Sequence, residues 1–140
     1  MPTWIEFHDS TLAALDYTAT DLRVVLDAYV HRWDLVADDW VGTGWMRLVR
    51  ILVTHARCQS SVTLLPVEIT HGRLHVGTVT YSNLVPLPFK ESEAINLWIQ
   101  VANADVLDCV GDSVQIEAQG EARFVEDLPG DMRPDLKRDR

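Results

Sequence analysis

The chain has few of the segments that mark secreted or membrane proteins. Only two of its 140 residues are cysteines, Cys58 and Cys109. Small secreted domains held by disulfides usually carry more, so both are expected to be reduced, partly buried thiols. No apolar run approaches the roughly 20 residues that span a bilayer as a helix, and the first residues lack the basic and apolar regions of a secretory signal. These absences predict a soluble cytoplasmic protein with no membrane partner.

Positive charge is also scarce. Lysine and arginine together number 12 against 21 aspartates and glutamates, which gives a formal net charge of -9. Such a surface repels phosphate backbones, and the arginines are scattered along the chain rather than clustered. Nucleic-acid binding is therefore not expected. An acidic surface suits solubility, or a basic partner protein.

The motifs of the commoner enzyme classes are missing. The chain has no Gly-x-Ser-x-Gly, no His-x-His and no His-Glu-x-x-His, and Gly42-Thr43-Gly44 is not followed by the lysine of a phosphate-binding loop. The run His8-Asp9-Ser10 contains the residue types of a hydrolase triad, but adjacent side chains cannot converge in that geometry. It is interpreted as a turn. No cofactor is predicted.

In several segments of the chain, apolar residues recur at every second position. Leu22, Val24, Leu26, Ala28 and Val30 form one such row, and residues 95–101 form another. A period of two places a row of side chains on one face of a strand. The sequence therefore predicts a mostly-β protein with little helix: one antiparallel sandwich or barrel-like sheet pair of about eight to ten short strands. Residues 1–130 form the predicted domain, and 131–140 a charged, frayed tail.

Glycine, proline and acidic clusters set the expected boundaries of the strands. A loop is expected at 34–44, and hairpin turns are expected at His71-Gly72 and at Gln119-Gly120-Glu121. Pro86 and Pro88 make residues 83–89 an edge or crossover segment. Residues 45–56 are apolar on both faces, which predicts a central strand that is covered on both sides.

The loop at 34–44 is the first candidate site. Trp33, Trp40 and Trp45 bracket it, and it contains Asp34, Asp38 and Asp39. Exposed tryptophans stack on sugars or bases and anchor protein partners, while the carboxylates could bond hydroxyl groups or a basic partner. In the alternative interpretation, Trp33 and Trp45 cap the core and Trp40 holds the loop in place.

Histidines and carboxylates supply weaker candidates. His8, His31 and His55 lie near predicted strand ends, where a sheet could bring them together as metal ligands. Their spacing matches no metal motif, so isolated histidines that bond backbone or solvent are the alternative, and no metal site is predicted. Glu68, Glu117 and Glu121 could form an acid–base pair, although acidic residues on strands usually form a solvated face.

Three functions follow from these observations. The first is a non-enzymatic soluble binding or protein-interaction module, whose partner is another protein or a second copy of the chain. The second is a small-ligand protein for a sugar or nucleotide, which would use the loop between Trp33 and Trp45. The third is a metal- or carboxylate-dependent enzyme built from the histidines and nearby acids.

Overall fold

A computed structural model of the protein describes residues 2–133. Most of these residues lie in strands, and the only helical element among them is a 3-10 turn at Gly130–Met132. Most of the predicted tail at 131–140 lies outside the described residues. In chain order, the strands are β1 (Thr3–Tyr17), β2 (Leu22–Val36), β3 (Asp39–Thr54), β4 (Arg57–Ser60), β5 (Val67–Val76), β6 (Val79–Ser82), β7 (Leu84–Pro86), β8 (Phe89–Glu91), β9 (Ile95–Val101), β10 (Val106–Gly111) and β11 (Ser113–Leu128).

All of the strands belong to one antiparallel sheet that curls strongly into a half-barrel. The order across the sheet is β4-β10-β9-β5-β1-β2-β3-β11-β8, with β6 paired to β5 and β7 paired to β1. The predicted mostly-β class with little helix is confirmed. Among residues 2–133, no helix has the length and the apolar character needed to cross a membrane.

The inner face of this curl holds the main core. The alternating row predicted for residues 22–30 is buried there in full, together with the row of β9. On β3, Val49, Ile51 and Val53 continue the same core, because they pair with buried residues of β2. The expectation that β3 is covered on both sides is wrong, since Leu48 on its outer face is 43% exposed.

The prediction of a loop at 34–44 is also wrong. Strands β2 and β3 stay paired up to Val36 and Asp39, so only Ala37 and Asp38 form the turn. Both have positive φ, at 48° and 69°. Positive φ at both central residues is the geometry of a type I′ hairpin, whose twist matches that of long paired strands.

Two other expected turns lie inside continuous strands. His71-Gly72 belongs to β5, where a Cβ on Gly72 would overlap the ring of Phe7, so this glycine permits close packing rather than a turn. Gly120 has a φ of 67° but lies within β11, at a shift in its register with β3. It therefore marks a bulge in a single strand.

The predicted turn at residues 8–10 is likewise an irregularity within β1. Asp9 has a φ of 75°, and the pairing with β2 shifts between Glu6 and Thr11. The buried hydroxyl of Ser10 donates to the carbonyl of Glu6 and accepts the amide of Tyr29 at 2.9 Å. Ser10 therefore satisfies backbone groups that the ladder leaves unpaired at this bulge.

The two cysteines form a disulfide between β4 and β10, so the prediction of reduced thiols is wrong. Cys58 and Cys109 lie directly opposite each other in the register of these strands. They are 51 residues apart in the sequence, and only the pairing of β4 with β10 brings them together. The bond ties a four-residue edge strand to the rest of the sheet.

The segment at 83–89 is a crossover, which is one of the two roles, edge or crossover, expected from its prolines. β7 pairs with the beginning of β1, whereas β8 pairs with the beginning of β11. The chain between them, which includes Leu87, therefore passes from one side of the sheet to the other. This crossing segment forms one wall of the site described below.

Candidate functional site

A cavity of about 200 Å³ opens on the inner face of the half-barrel, beyond the end of the main core. It lies between the crossover segment and the second half of β11. In the part of the chain that the structure describes, β8 pairs with β11 only at residues 114–116, so residues 119–127 have β3 as their only strand neighbour. Among residues 2–133, those that line the cavity are Thr3, Val30, Arg32, Trp45, Arg47, Leu87 and Ala122.

The floor of this pocket comes from the inward rows of β2 and β3. Val30 and Trp45 are direct cross-strand partners, so their side chains lie side by side. Arg32 lies two residues beyond Val30, and Arg47 lies two residues beyond Trp45. Because the strands are antiparallel and the side-chain period is two, the arginines flank the Val30–Trp45 pair on the same face from opposite directions.

Trp45 is held in place from two sides. Its indole Nε1 donates to the hydroxyl of Thr43 at 2.8 Å, and its ring meets that of Phe124 edge-on, with 5.3 Å between centroids. Phe124 is itself 56% exposed, so the apolar surface continues past the mouth of the pocket. A fixed aromatic ring with an apolar neighbour is a suitable contact for the apolar part of a ligand.

The two arginines are also anchored at the pocket wall. Arg47 donates through Nε to the carbonyl of Gly120 at 3.0 Å. The Nε of Arg32 lies 3.3 Å from a carboxylate oxygen of Asp34. None of the seven lining residues within the described part of the chain is acidic. The pocket therefore combines an apolar floor with two guanidinium groups, which are rigid donors suited to oxyanions.

The tryptophans predicted to act together lie on different faces of the sheet. Trp33 is only 1% exposed and packs with Trp4 and Leu128 on the outer face, and Trp40 packs against the same cluster. Trp45 faces inward and lines the pocket. The structure therefore brings Trp33 and Trp40 together and separates both from Trp45.

The three predicted aspartates are distributed along the same hairpin. Asp34 is at the pocket end through its ion pair with Arg32. Asp38 is in the turn, and Asp39 begins β3 directly after it. Both are exposed at the tip of the hairpin, away from the pocket. Of the six predicted residues, only Trp45 lines the pocket, and Asp34 contacts one of its arginines.

The three histidines do not converge. His8 and His55 are exposed, and their Nδ1 atoms lie 3.2 Å from the carbonyl of Thr70 and 2.8 Å from a carboxylate oxygen of Asp112. His31 pairs with Gly44, and Gly44 is eleven residues before His55 along the chain, so most of the length of β3 separates the two histidines. Among residues 2–133, no group of three His, Cys, Asp or Glu side chains is placed to hold a metal ion.

His31 instead belongs to a buried polar row on the outer face. It is 2% exposed, its Nε2 lies 3.5 Å from a carboxylate oxygen of Glu6, and its ring lies between those of Tyr29 and Trp33. The hydroxyl of Tyr29 donates to Glu126 on β11. Burial raises the pKa of Tyr29, and the hydrogen bond and the charge of Glu126 raise it further. This row ties β1, β2 and β11 together.

The predicted carboxylates are likewise separated. Glu68 is on β5 and Glu117 is on β11, with three strands between them in the sheet order. Glu117 pairs with Arg50 across the ladder at 3.0 Å, and Glu121 is exposed. These positions suit a solvated outer face.

Sequence reasoning missed the arginines, although a signal was present. Arg32 continues the inward row of β2 directly after Val30, and Arg47 precedes Val49 on the inward row of β3. A charged residue at an inward position of an apolar row shows where the core gives way to a cavity or to solvent. Leu87 and Ala122 carry no such signal, because only the crossover and the curl place them at the pocket.

No protein-family model matches this chain, and no curated protein or solved structure is significantly similar to it. The geometry and chemistry of the pocket therefore carry the functional conclusion.

Proposed function

We propose that this protein is a non-enzymatic binding module that takes a small organic ligand in the pocket of the half-barrel. The observation that carries this proposal is the apolar floor of Val30 and Trp45 at the base of a concave cavity. Binding sites for small molecules are concave and mostly apolar, with a few fixed polar groups that set orientation. The pocket has this composition, because Thr3, Arg32 and Arg47 are its polar members.

The size of the cavity limits the ligand. At roughly 30 Å³ for each water in the liquid, 200 Å³ corresponds to about seven waters. Pockets for drug-sized ligands are larger, at roughly 300–1,000 Å³. A ligand with one ring or a short aliphatic chain fits this space, with any further part extending over Phe124 at the mouth.

The lining also favours binding over catalysis. General acids, general bases and nucleophiles are mostly histidine, carboxylate, cysteine, serine or lysine side chains. Among the described residues of the lining, the only hydroxyl group is that of Thr3, and none of the other six residues can act as the general base that activates a threonine. The arginines and Trp45 can hold and orient a ligand, and this is the role that we assign to them.

The test is to fill the pocket with a larger side chain and to measure whether small compounds still bind. Ala122 is exposed on β11 and lines the pocket, so Ala122→Phe would occupy the cavity without entering the main core. Ala19→Phe places the same side chain at an exposed turn position at the other end of β2. A panel of single-ring and short-chain compounds is screened by two-dimensional amide NMR. We expect amide shifts at Trp45 and Ala122 in the unmodified protein and in Ala19→Phe, and loss of the Trp45 shift in Ala122→Phe. A panel that shifts no pocket residue contradicts the proposal.

A second candidate, protein interaction, is favoured by the tip of the β2–β3 hairpin. Residues 34–41 extend beyond the ends of the pairing with β1 and β11. Leu35, Val36 and Val41 are exposed there, Leu35 by 58%. Exposed apolar groups at a projecting tip suit a contact with a partner protein or a second copy. Light scattering on the protein and on Val36→Asp tests self-association, and a pull-down tests for a different partner protein. A strict monomer that captures no partner would count against this candidate.

The cytoplasmic location also remains a proposal. It was predicted in part from reduced thiols at Cys58 and Cys109, but these residues form a disulfide, and disulfides persist mainly in oxidising compartments. The compartment is tested by denaturing and alkylating the protein at the moment of cell lysis and then counting the alkylated cysteines. Two alkylated cysteines support a cytoplasmic location, and none supports an oxidising one.

A further inference from the structure

We propose that the β11 edge, residues 119–127, binds an extended basic segment of a partner protein as an additional strand of the sheet. The partner is a different protein rather than a second copy of this chain. This surface is separate from the tip of the β2–β3 hairpin, and its role does not depend on a ligand in the pocket.

The backbone of the β11 edge has a partner on one side only. Within residues 2–133, β3 is the only strand that pairs with it, because β8 pairs with β11 at residues 114–116 and no further. A strand with one neighbour presents unpaired N–H and C=O groups along its other side, and these groups can pair with another chain. Segments that bind in this way obtain affinity from main-chain hydrogen bonds and specificity from alternate side chains.

The side chains of the β11 edge are open to solvent as well. Each of residues 119–127 is exposed, whereas residues 113–118 of the same strand are buried or half-buried. Phe124 and Val125 are two consecutive apolar residues, and they are 56% and 47% exposed. The edge contains neither proline nor lysine, which commonly protect exposed strands. An added strand would therefore remove apolar surface from water.

Charge indicates the kind of segment that fits. The β11 edge carries three carboxylates and one basic side chain, those of Glu121, Glu126, Asp127 and Arg123. Arg123 donates to both carboxylate oxygens of Asp27, at 3.1 and 3.3 Å. Among residues 2–133, no ion pair is formed by any of the three carboxylates of the edge. A basic segment is complementary to this excess of negative charge, and the net charge of -9 on the chain attracts it from a distance.

Two features disfavour a second copy of the chain as the occupant. Pairing of two β11 edges would bring the same excess of negative charge together from both copies, which is destabilising. The register with β3 also shifts between Gln119 and Arg123 and between Phe124 and Glu126. Such bulges hinder pairing between two long copies of one strand, whereas a short segment of a partner can follow the kink.

The test uses a heptapeptide of alternating lysine and valine with blocked ends, and binding is followed by amide NMR. We expect signals of residues 119–127 to shift and hydrogen exchange of some of these amides to slow, because their N–H groups become bonded. A peptide with glutamate in place of lysine should not bind. A third peptide, methylated at all of its backbone nitrogens, keeps the charge but has no donors, so it should bind at least about tenfold more weakly.

A reversal of charge on the protein locates the site. Glu121→Lys should weaken binding of the basic peptide about fivefold, because it replaces an attraction by a repulsion at the edge. Glu68→Lys makes the same exchange at an exposed position of β5, and three strands lie between β5 and β11. Both variants have the same net charge, so a difference between them reports the position of the peptide rather than the charge of the whole chain.

Several outcomes would overturn the proposal. It is wrong if the basic peptide shifts no residue of the β11 edge, or if the acidic or the methylated peptide binds there as tightly. It is also wrong if Glu121→Lys and Glu68→Lys bind the basic peptide equally well. Shifts of residues 119–127 that depend on the concentration of the protein alone would show that a second copy occupies the edge. The comparison of the three peptides needs no variant, so it holds even if Glu121→Lys is unstable.

Discussion

Replacing Gly42 by alanine is expected to destabilise the fold, because the new Cβ would overlap the six-membered ring of Trp33. Gly42 is the direct cross-strand partner of Trp33, and Trp33 is 1% exposed in the cluster with Trp4 and Leu128. The ring therefore has no free space into which it could turn. The variant tests whether Trp33 packs on the outer face or is available to a ligand.

The magnitude follows from overpacking. Adding a methyl group to a well-packed site costs about 1–3 kcal/mol. Exchanging glycine for alanine also gains about 0.4–1 kcal/mol from the unfolded chain where the backbone conformation is compatible. Gly130→Ala carries the same exchange at a position where a Cβ meets nothing within 4 Å. The difference between the two variants therefore isolates the overlap, at about 1–3 kcal/mol, or roughly 4–12 °C in Tm for a chain of this length.

The assay is urea unfolding followed by tryptophan fluorescence and circular dichroism. Trp33→Phe removes the outer ring atoms that the new Cβ would meet, so Gly42→Ala should cost less in that background. Contact between the two residues predicts a coupling of at least 0.5 kcal/mol in the double-mutant cycle. The reasoning is refuted if Gly42→Ala is as stable as Gly130→Ala, or if its cost is the same with and without the Trp33 ring.

Three further predictions concern stability. Reducing the Cys58–Cys109 disulfide should lower the free energy of unfolding by about 2–4 kcal/mol, since it closes a loop with a sequence separation of 51; equal urea midpoints with and without dithiothreitol would contradict this. Ser10→Ala should cost about 1–3 kcal/mol, because it leaves two backbone groups of the β1 bulge unsatisfied, whereas Ser92→Ala at an exposed position should be neutral; a cost below 0.5 kcal/mol would show that water replaces the hydroxyl. The pKa of Tyr29 in the folded state is raised above its ordinary value of 10.0, so above pH 10 the folded state keeps a proton that the unfolded state loses. The free energy of unfolding should therefore decline as the pH rises above 10. Tyr29→Phe should remove this decline in unfolding experiments between pH 9 and pH 11, and an identical decline in both proteins would contradict the assignment.

The strands could be predicted wherever one apolar row runs without interruption. Residues 22–30 and 95–101 show this pattern, and both are strands whose alternate residues are buried. Alternation reports burial of one face, which is a property of consecutive residues. It therefore needs no knowledge of the neighbouring strands.

The turns were less predictable, because glycine serves two purposes in this fold. Gly42, Gly44 and Gly72 lie beneath Trp33, Tyr29 and Phe7, where any side chain would overlap an aromatic ring. In the sequence, these glycines look like turn residues. The real β2–β3 turn consists of Ala37 and Asp38, and Ala37 is a residue with no turn preference.

The sequence by itself determined the mostly-β class, the inward rows of β2 and β9, an edge or crossover role for the segment with Pro86 and Pro88, and the excess of acidic charge. The tertiary structure alone decided which residues share a site. The pocket draws on β1, β2, β3, the crossover and β11, and the disulfide joins strands whose cysteines are 51 residues apart. A period of two is set by the geometry of a single strand, whereas the meeting of Arg32 with Ala122, or of Cys58 with Cys109, depends on the order and curl of the whole sheet.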